Sequence, residues 1–349
     1  MYAARFRELG AGDVGSAGGK GASLGELTRA GMQVPPGFVV TTDAFHATLS
    51  TVDADGTHRG RVGALDPDNL EAVHAVCVHL RELIASAPVP ARVADAVMAH
   101  YRELDPGGEL PAVAVRSSAT LEDAAAASFA GLQDTYLWVR GGQAVLEHLR
   151  RCWASLYNAE SVSYRLRRRL PEQGLAMGVV VQRMVEPRCA GVMFTRSPLT
   201  GDRSVVAIEA AWGLGSALVS GDVTPDSIVV NKVTGEVLRR TIGTKLRRHR
   251  MDPAGTGVLD EPVPEQLQQV CCLTDEQVGE LVAVARRIEA HFGAAQDIEW
   301  AIADGGVHVL QSRPETIWSG RAAVPVAPVR DSAFAHVLDV LGGRRENAS

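Results

Sequence analysis

Residues 297–313 read DIEWAIADGGVHVLQSR, with an Asp-Gly-Gly triplet between two apolar runs. Such a triplet between strand-like runs is typical of a tight hairpin turn. The pattern therefore predicts two antiparallel strands, residues 298–303 and 307–311, joined by this turn. The apolar period is also two from Ala176 onward, which predicts further strands at residues 179–185, 191–195, 204–209 and 227–231.

The predicted hairpin brings oxygen ligands and a cation together. Strand alternation places Asp297 and Glu299 on one face, and the short turn brings Gln311 and Arg313 near that acidic pair. Carboxylate and amide oxygens are ligands that Mg²⁺ prefers, and Arg313 is suited to countering the charge of a triphosphate. A half-buried hairpin with a surface ion pair explains the same residues without a ligand, and spacing alone slightly favours it.

The first half of the chain has a more helical pattern. Helices are predicted near residues 18–31, 69–86, 90–104 and 145–169, from residue 43, and, in the second half, over 274–291. Short strands are predicted at residues 37–40 and 112–115, and an exposed excursion at 53–68. The basic end of the helix over 145–169, from Arg165 to Arg169, is expected to be solvated. This mixture predicts an α+β chain with two lobes.

Composition excludes several classes of protein. The chain has 349 residues, of which 46% are hydrophobic, enough for about two domains with a real core. Its net charge of -6 gives no basic field for nucleic acid or an anionic membrane. The 5 cysteines include no Cys-x-x-Cys pair, which argues against a disulfide framework and a zinc site. No apolar leader or membrane-length apolar run is present, so we expect a soluble, cytoplasmic protein.

Two segments of the first half suit an anion. Residues 18–21, Gly-Gly-Lys-Gly, place Lys20 at a helix start, where backbone N–H groups and the helix dipole favour negative charge. Arg116 ends a buried strand and precedes Ser117 and Ser118, hydroxyl donors beside a guanidinium that suits phosphate. An exposed lysine on a tight turn and an arginine in an ordinary ion pair are the alternatives. The Walker A and dinucleotide-binding glycine templates both fail at required positions.

Eight motifs in chain order resemble those of a known family. They are 18–27, 34–38, 115–123 with 128–131, 182–185, 191–195, 209–215, 220–221 with 225–226, and 296–300 with 311–314. The set resembles the N-terminal ATP-binding domain of the pyruvate phosphate dikinase and phosphoenolpyruvate synthase family, which includes rifampin phosphotransferase. The resemblance covers about residues 18–318.

The resemblance implies a two-lobed ATP-grasp fold with nucleotide in the interlobe cleft, and ATP and Mg²⁺ as cofactors. Three cations are implied to be catalytic, and two residues are implied to ligate Mg²⁺. The catalytic set is Lys20, Arg116 and Arg313, and the metal ligands are Glu299 and Gln311. The implied nucleotide contacts are Lys20, Arg116, Gly131 and Thr135 at the phosphates, Gln182, Met184, Val185 and Glu186 at adenine, and Gln311 and Arg313. Gly131 and Thr135 belong to a loop, 128–135, that is expected to close over the phosphates.

The resemblance also implies a reaction, in which the β-phosphoryl of ATP passes, as a pyrophosphoryl unit, to a histidine and AMP is released. Family members carry that histidine on a swinging domain, followed by a domain for the final acceptor. None of the 10 histidines here lies in a Gly-Gly-x-x-Ser/Cys-His segment, and His308, the nearest, is interpreted as a strand residue. We therefore expect the ATP half of a split enzyme, whose separate partner protein supplies the histidine and the site of a small-molecule acceptor.

The expected division is a first lobe at residues 1–185, a second lobe at 186–320 and a linker-like tail at 321–349 suited to docking a partner. Two other functions stay open at this point. One is direct ATP-dependent phosphorylation of a small molecule by the chain alone, and the other is a nucleotide-binding module without turnover. Neither nucleic acid nor membrane is an expected partner.

Overall fold

The structure is a computed structural model that describes residues 1–105, 108, 110–120, 134–172, 174–255, 257–303 and 305–318. Met1–Glu315 form one compact unit, and Thr316–Ser349 form a second, of which 316–318 are described. The expected tail at 321–349 and most of the expected loop at 128–135, with Gly131, lie outside the described residues. The division into lobes at residue 185 stays a prediction.

The described residues form a mixed helix and sheet structure, as the sequence predicts. The strands are β1 (Ala3–Arg5), β2 (Gly37–Val40), β3 (Val113–Ala119), β4 (Thr135–Val139), β5 (Met177–Arg183), β6 (Cys189–Phe194), β7 (Val205–Trp212), β8 (Asp226–Asn231), β9 (Val237–Thr241), β10 (Arg247–Met251), β11 (Val258–Pro262), β12 (Gln296–Ala303) and β13 (Gly306–Pro314). The α-helices are α1 (Val14–Arg29), α2 (Thr42–Leu49), α3 (Thr57–Gly63), α4 (Leu70–Ser86), α5 (Ala91–Arg102), α6 (Gly142–Ser155), α7 (Ala159–Arg168), α8 (Ser216–Val219), α9 (Glu265–Gln268) and α10 (Asp275–Phe292).

The strands form two antiparallel sheets and a separate hairpin. The first sheet has five strands in the order β1-β2-β5-β3-β4, and the second has six in the order β13-β12-β6-β7-β8-β9. Strands β10 and β11 pair only with each other among the described residues. The predicted hairpin is present as β12 and β13, which the second sheet extends through β6.

Alternation along β3 separates a core face from a polar face. Val113 and Val115 lie in the core that the first sheet shares with α2, α4, α5, α6 and α7. Arg116 and Ser118 therefore point to the opposite face of the sheet. That face is covered by α1, whose Leu24 packs in a cluster with strand residues of β2 and β5.

Helix α1 also contributes to the core of the second sheet. Leu27 is buried in that core, where α10 packs its own apolar face through Leu281 and Ile288. Helix α10 begins at Asp275 with a capping box, in which the Thr274 hydroxyl accepts from the Gln277 N–H and the Gln277 side chain accepts from the Thr274 N–H. The single helix α1 thus fixes the first sheet beside the β12–β13 hairpin.

The single helix predicted over 145–169 is wrong, because the chain breaks between α6 and α7. Leu156 and Tyr157 at the break are buried, and Arg165 Nη1 donates to the Leu156 carbonyl over 2.8 Å. Arg165 Nε also donates to Glu172 Oε1 at 2.9 Å, so this side chain is buried and paired, not solvated as expected. A buried break needs a donor for its freed carbonyls, and the apolar period does not reveal that need.

The exposed excursion predicted over 53–68 is also partly wrong, because it contains the helix α3. Asp53 is buried, and its carboxylate accepts from the His58 backbone N–H at 2.9 Å and from Arg59 Nε at 2.7 Å.

In the described part of the chain, no single helix has the length and apolar character to cross a membrane. The bent pair α4 and α5 meets that test only when the two helices are taken together.

Candidate active site

The glycine-rich segment that opens α1 is fixed against β3. Gly18 has φ 70 and ψ 171, a conformation that interrupts the helix and that side-chain-bearing residues rarely adopt. Ser118 Oγ donates to the Ala17 carbonyl at 2.8 Å and accepts from the Gly21 N–H at 3.0 Å. A Cβ on Gly18 would lie 1.8 Å from the Ser118 carbonyl oxygen. Lys20 is thereby placed in the first turn after the break, beside β3.

Arg116 lies at the centre of the candidate site, where β3 faces the hairpin of the second sheet. Its Nη2 donates to Glu299 Oε2 at 2.8 Å and to Gln311 Oε1 at 2.6 Å, and its Nη1 donates to the Leu310 carbonyl at 3.2 Å. Its Nε is buried and has no partner among the described residues. Three of the residues that the resemblance assigns to phosphate and metal therefore meet at one point.

The register of the hairpin explains this convergence. Strands β12 and β13 pair Glu299 with Gln311 and Asp297 with Arg313, so that alternate pairs share a face. Arg313 donates to Asp297 Oδ2 from Nε at 2.8 Å, and the Arg313 Nη2 to Asp297 Oδ2 distance is 2.7 Å. The surface ion pair that the sequence left as an alternative thus exists, and it lies beside the oxygen pair of Glu299 and Gln311.

The donor set fits a divalent cation. One carboxylate oxygen of Glu299 and the amide oxygen of Gln311 both accept from a single nitrogen, so the two oxygens point to a common place. Hard oxygen ligands of this kind suit Mg²⁺, which also takes ligands from water and substrate phosphates. Among the described residues, no group of three or more His, Cys, Asp or Glu side chains forms a metal cage.

Burial raises the pKa of Asp297, while Arg313 acts in the opposite direction. We predict that Arg313→Gln raises the pKa of Asp297 further, because the favourable charge and hydrogen bonds are removed while burial stays. A ¹³C NMR titration of the carboxyl groups measures this change. Asp43→Asn, at a carboxyl group bound only to the N-terminus among the described residues, is the control, and it leaves the pKa of Asp297 unchanged.

The same pKa shift fixes the sign of a pH effect on stability. A carboxyl group whose folded pKa lies above its unfolded value stabilises the fold below the unfolded pKa, and loses that contribution as the pH rises through the folded pKa. Arg313→Gln enlarges this loss. The free energies of unfolding of the variant and the wild type should therefore diverge as the pH rises above the ordinary range of Asp. A constant difference across that range would contradict the assignment.

The segment expected to bind adenine lies at and after the end of β5. Gln182 is buried, and its Nε2 donates to the Pro35 carbonyl at 3.3 Å. The Met184 N–H donates to the Ala112 carbonyl at 2.9 Å. The Met184 side chain packs in an apolar cluster with residues of both halves, which include Ala112, Leu137, Trp138, Leu214, Met251 and Val258. A nucleotide contact by the Gln182 amide would thus compete with its bond to Pro35.

The other expected residues lie at more exposed positions. Val185 is half-buried, and Glu186 is exposed, with an Oε1 to Arg250 Nη2 distance of 3.7 Å. Thr135 is the exposed first residue of β4 and pairs with Arg116 in the ladder. Thr135 therefore shares a register position with the arginine at the centre of the site, whereas Gly131 lies outside the described residues.

Sequence reasoning missed the hydrogen bonds of three serines that join the parts of the site. Ser118 anchors the glycine segment, although the sequence marked it only as a hydroxyl donor after Arg116. Ser23 Oγ donates to the Ser312 carbonyl at 2.6 Å, and Ser312 Oγ donates to Gln296 Oε1 at 2.8 Å. These bonds tie α1 to the hairpin between Gln311 and Arg313. No local pattern signals the bonds of Ser118 and Ser23, because they link residues 97 to 289 positions apart in the chain.

Comparison with known proteins gives the relatives of this chain. A rifampicin phosphotransferase from Streptomyces sp is 46% identical over 336 residues, which are 96% of this chain and 38% of that protein. A probable phosphoenolpyruvate synthase from Methanothermobacter thermautotrophicus is 43% identical over 317 residues, 90% of this chain and 46% of that protein. The chain therefore spans less than half the length of each relative.

A solved structure, the ADP complex of an N5-carboxyaminoimidazole ribonucleotide synthetase, matches 72% of this chain and 59% of its own at 10% identity. Its TM-score of 0.25 is too low to support an argument about the fold. The family described as pyruvate phosphate dikinase, AMP/ATP-binding domain, matches residues 14–332, which include every part of the site described above. The chain belongs to the family of pyruvate phosphate dikinase AMP/ATP-binding domains.

Proposed function

We propose that this chain binds Mg-ATP and transfers the β-phosphoryl group of ATP, as part of a pyrophosphoryl unit, to a histidine on a separate partner protein, with release of AMP. The observation that carries the proposal is the meeting of Arg116 with Glu299 and Gln311, because it joins a cation of the first half to the oxygen pair of the second. Family membership and the two relatives, named for phosphotransfer and phosphoenolpyruvate synthesis, support it.

The nucleotide would lie in a cleft between two lobes of ATP-grasp type, with its phosphates at this meeting point. Lys20, in the first turn after the glycine break, and Arg116 would contact the phosphates, while Arg313 would support the transferred group. Gly131 and Thr135 would close over them. Phosphoryl transfer depends mainly on positioning and charge neutralisation, and these residues provide cations carried on a helix, a strand and a hairpin.

Glu299 and Gln311 would hold Mg²⁺, which neutralises phosphate charge when bound. Adenine would lie along residues 182–186, where Met184 and Val185 offer partly buried apolar surface beside Glu186. Since the amide of Gln182 is engaged with Pro35 and the Met184 N–H with Ala112, the backbone groups of Val185 and Glu186 are the better donors and acceptors for the base.

In the proposed reaction, an imidazole nitrogen of the partner histidine attacks the β-phosphorus of ATP. A nitrogen to phosphorus bond forms, the bond from the β-phosphorus to the bridging oxygen of AMP breaks, and the imidazole proton passes to solvent. The residues of this chain orient the polyphosphate and balance its charge, but they supply no nucleophile. The histidine and the site of the small-molecule acceptor belong to the partner.

The test mixes this chain with ATP labelled at the β-phosphorus, Mg²⁺ and a separately produced phosphohistidine domain of the family. We expect AMP and an acid-labile, base-stable label on the partner, and no label on a partner whose histidine is replaced by alanine. Formation of ADP that depends on a metabolite and not on the partner would instead indicate a small-molecule kinase. Nucleotide binding without either reaction would indicate a binding module, and both results would overturn the proposal.

A further inference from the structure

The cation at the centre of the candidate site belongs to the protein itself. Arg116 Nη2 lies within 2.8 Å of Glu299 Oε2 and within 2.6 Å of Gln311 Oε1. These are the two oxygens that the proposed function assigns to Mg²⁺. A guanidinium nitrogen and a metal ion cannot occupy the same place between them, and two cations there would repel each other.

We propose that Arg116 is a positioning residue that makes metal binding depend on nucleotide. Without nucleotide, Arg116 holds the Glu299 and Gln311 side chains together and occupies their oxygens by donating hydrogen bonds to both. When the phosphates bind, they attract the guanidinium away and leave the oxygen pair free for the cation. This inference rests on the proposed function, since it assumes that phosphate and metal meet at this point.

The surroundings of Arg116 allow the side chain to change partners while its backbone stays fixed. Strand β3 pairs Arg116 with Val180 of β5 on one side and with Thr135 of β4 on the other. The next anchor along the strand is Ser118, which is bonded to the start of α1. Movement is therefore confined to the side chain, whose long stem can re-aim the guanidinium by rotation about its torsions.

The hydrogen bonds of the guanidinium also favour a second set of acceptors. The Nε of Arg116 is buried without a partner among the described residues, and the Nη1 contact with the Leu310 carbonyl, at 3.2 Å, is long. A buried donor without an acceptor is unfavourable, so the present arrangement leaves part of the guanidinium unsatisfied. Phosphate oxygens can accept bidentate hydrogen bonds from the planar guanidinium, and the phosphates of a nucleotide carry more negative charge than one carboxylate.

The consequence is a reciprocal coupling between the two ligands. If nucleotide removes Arg116 from the oxygen pair, nucleotide raises the affinity for the metal, and the metal raises the affinity for nucleotide by the same factor. Replacing Arg116 by a neutral residue removes the competition in the nucleotide-free protein. The affinity for a free divalent cation should then rise, and the part of the coupling that comes from Arg116 should disappear.

The test measures Mn²⁺ binding by electron paramagnetic resonance in the absence of nucleotide. We expect weak binding by the wild type, and binding by Arg116→Gln that is tighter by about tenfold or more, of the size typical for coupled sites. The double variant Arg116→Gln, Glu299→Gln should lose this gain. Arg239→Gln is the control, because it removes the same charge from an exposed position of β9, outside the site. Its affinity for Mn²⁺ should equal that of the wild type.

Arg116→Lys provides a second measurement if Arg116→Gln folds poorly, since lysine keeps the positive charge but cannot form the bidentate hydrogen bonds of a guanidinium. It should bind free Mn²⁺ with an affinity between those of the wild type and a neutral variant. Equal affinity of the nucleotide-free wild type and both Arg116 variants for Mn²⁺ would overturn the inference. Calorimetry of the wild type with a non-hydrolysable ATP analogue and Mg²⁺ tests the proposed function separately, because that function fails if no nucleotide binds.

Discussion

We expect Gly18→Ala to abolish nucleotide binding and to lower the free energy of unfolding by about 3 kcal/mol or more. Two independent causes act at this position. The backbone has φ 70 and ψ 171, a region open essentially to glycine alone. The new Cβ would also lie 1.8 Å from the Ser118 carbonyl oxygen, a backbone atom of β3 at a position paired with β5. Relief requires α1 to move away from the strand that carries Arg116.

Urea denaturation measures the loss of stability, and calorimetry with ATP and Mg²⁺ measures the loss of binding. Gly15→Ala is the matched control, because Gly15 lies in the same helix and an added Cβ there meets nothing within 4 Å. This variant should be unchanged or more stable by at most about 1 kcal/mol. If Gly18→Ala kept wild-type stability and ATP affinity, the anchoring of the glycine segment by Ser118 would have no role in the site.

Glu299→Gln should lower Mg²⁺-dependent turnover about 100-fold or more, the scale for removing a group that stabilises charge in a transition state. The substitution keeps the shape of the side chain and its ability to accept from Arg116, but it removes the negative charge that would hold the metal. AMP formation in the partner assay measures the effect. The thermal stability of the variant should stay near that of the wild type, because this side chain is still 32% exposed and its ion pair is partly screened.

Glu280→Gln is the control for this substitution. Glu280 is an exposed residue of α10 that forms no hydrogen bond or ion pair through its side chain with the described residues, so the same loss of charge falls outside the site. Its turnover should equal that of the wild type. A Glu299→Gln protein with full turnover at low Mg²⁺ concentration would show that the metal is held elsewhere, and the proposed roles of the hairpin would have to be abandoned.

The hairpin that carries these residues was predictable from sequence because its information is local. The Asp-Gly-Gly turn and the alternation on either side predict two antiparallel strands that bring Gln311 and Arg313 near the acidic pair, and the structure has both strands. The exact pairing of Glu299 with Gln311 depends on a β-bulge between Glu299 and Trp300, which the pattern does not reveal. The break between α6 and α7 was not predictable in the same way. Its stability depends on the buried Arg165, whose basic neighbours suggested a solvated helix end.

The assembly of the site was beyond local reasoning. Arg116 and Glu299 are 183 residues apart, and only the resemblance to a family placed them in one site. Ser118 shows the same limit, because its role depends on its hydrogen bond with Gly21 of α1, which precedes it by 97 residues. Spacing along one strand predicts which face of the sheet a side chain occupies, whereas the residues that contact it on that face depend on the tertiary fold.

Helix α1 has a consequence for how such proteins recombine. Leu24 belongs to the apolar layer on the first sheet, and Leu27, one turn later, belongs to the core of the second. A chimera that joined the first half of this protein to the second half of a relative would therefore pack Leu27 against the core of the relative, whichever crossover loop was chosen. Such an exchange should give a stable protein only when the residues of α1 match the cores of both sheets, so the two halves cannot be exchanged independently.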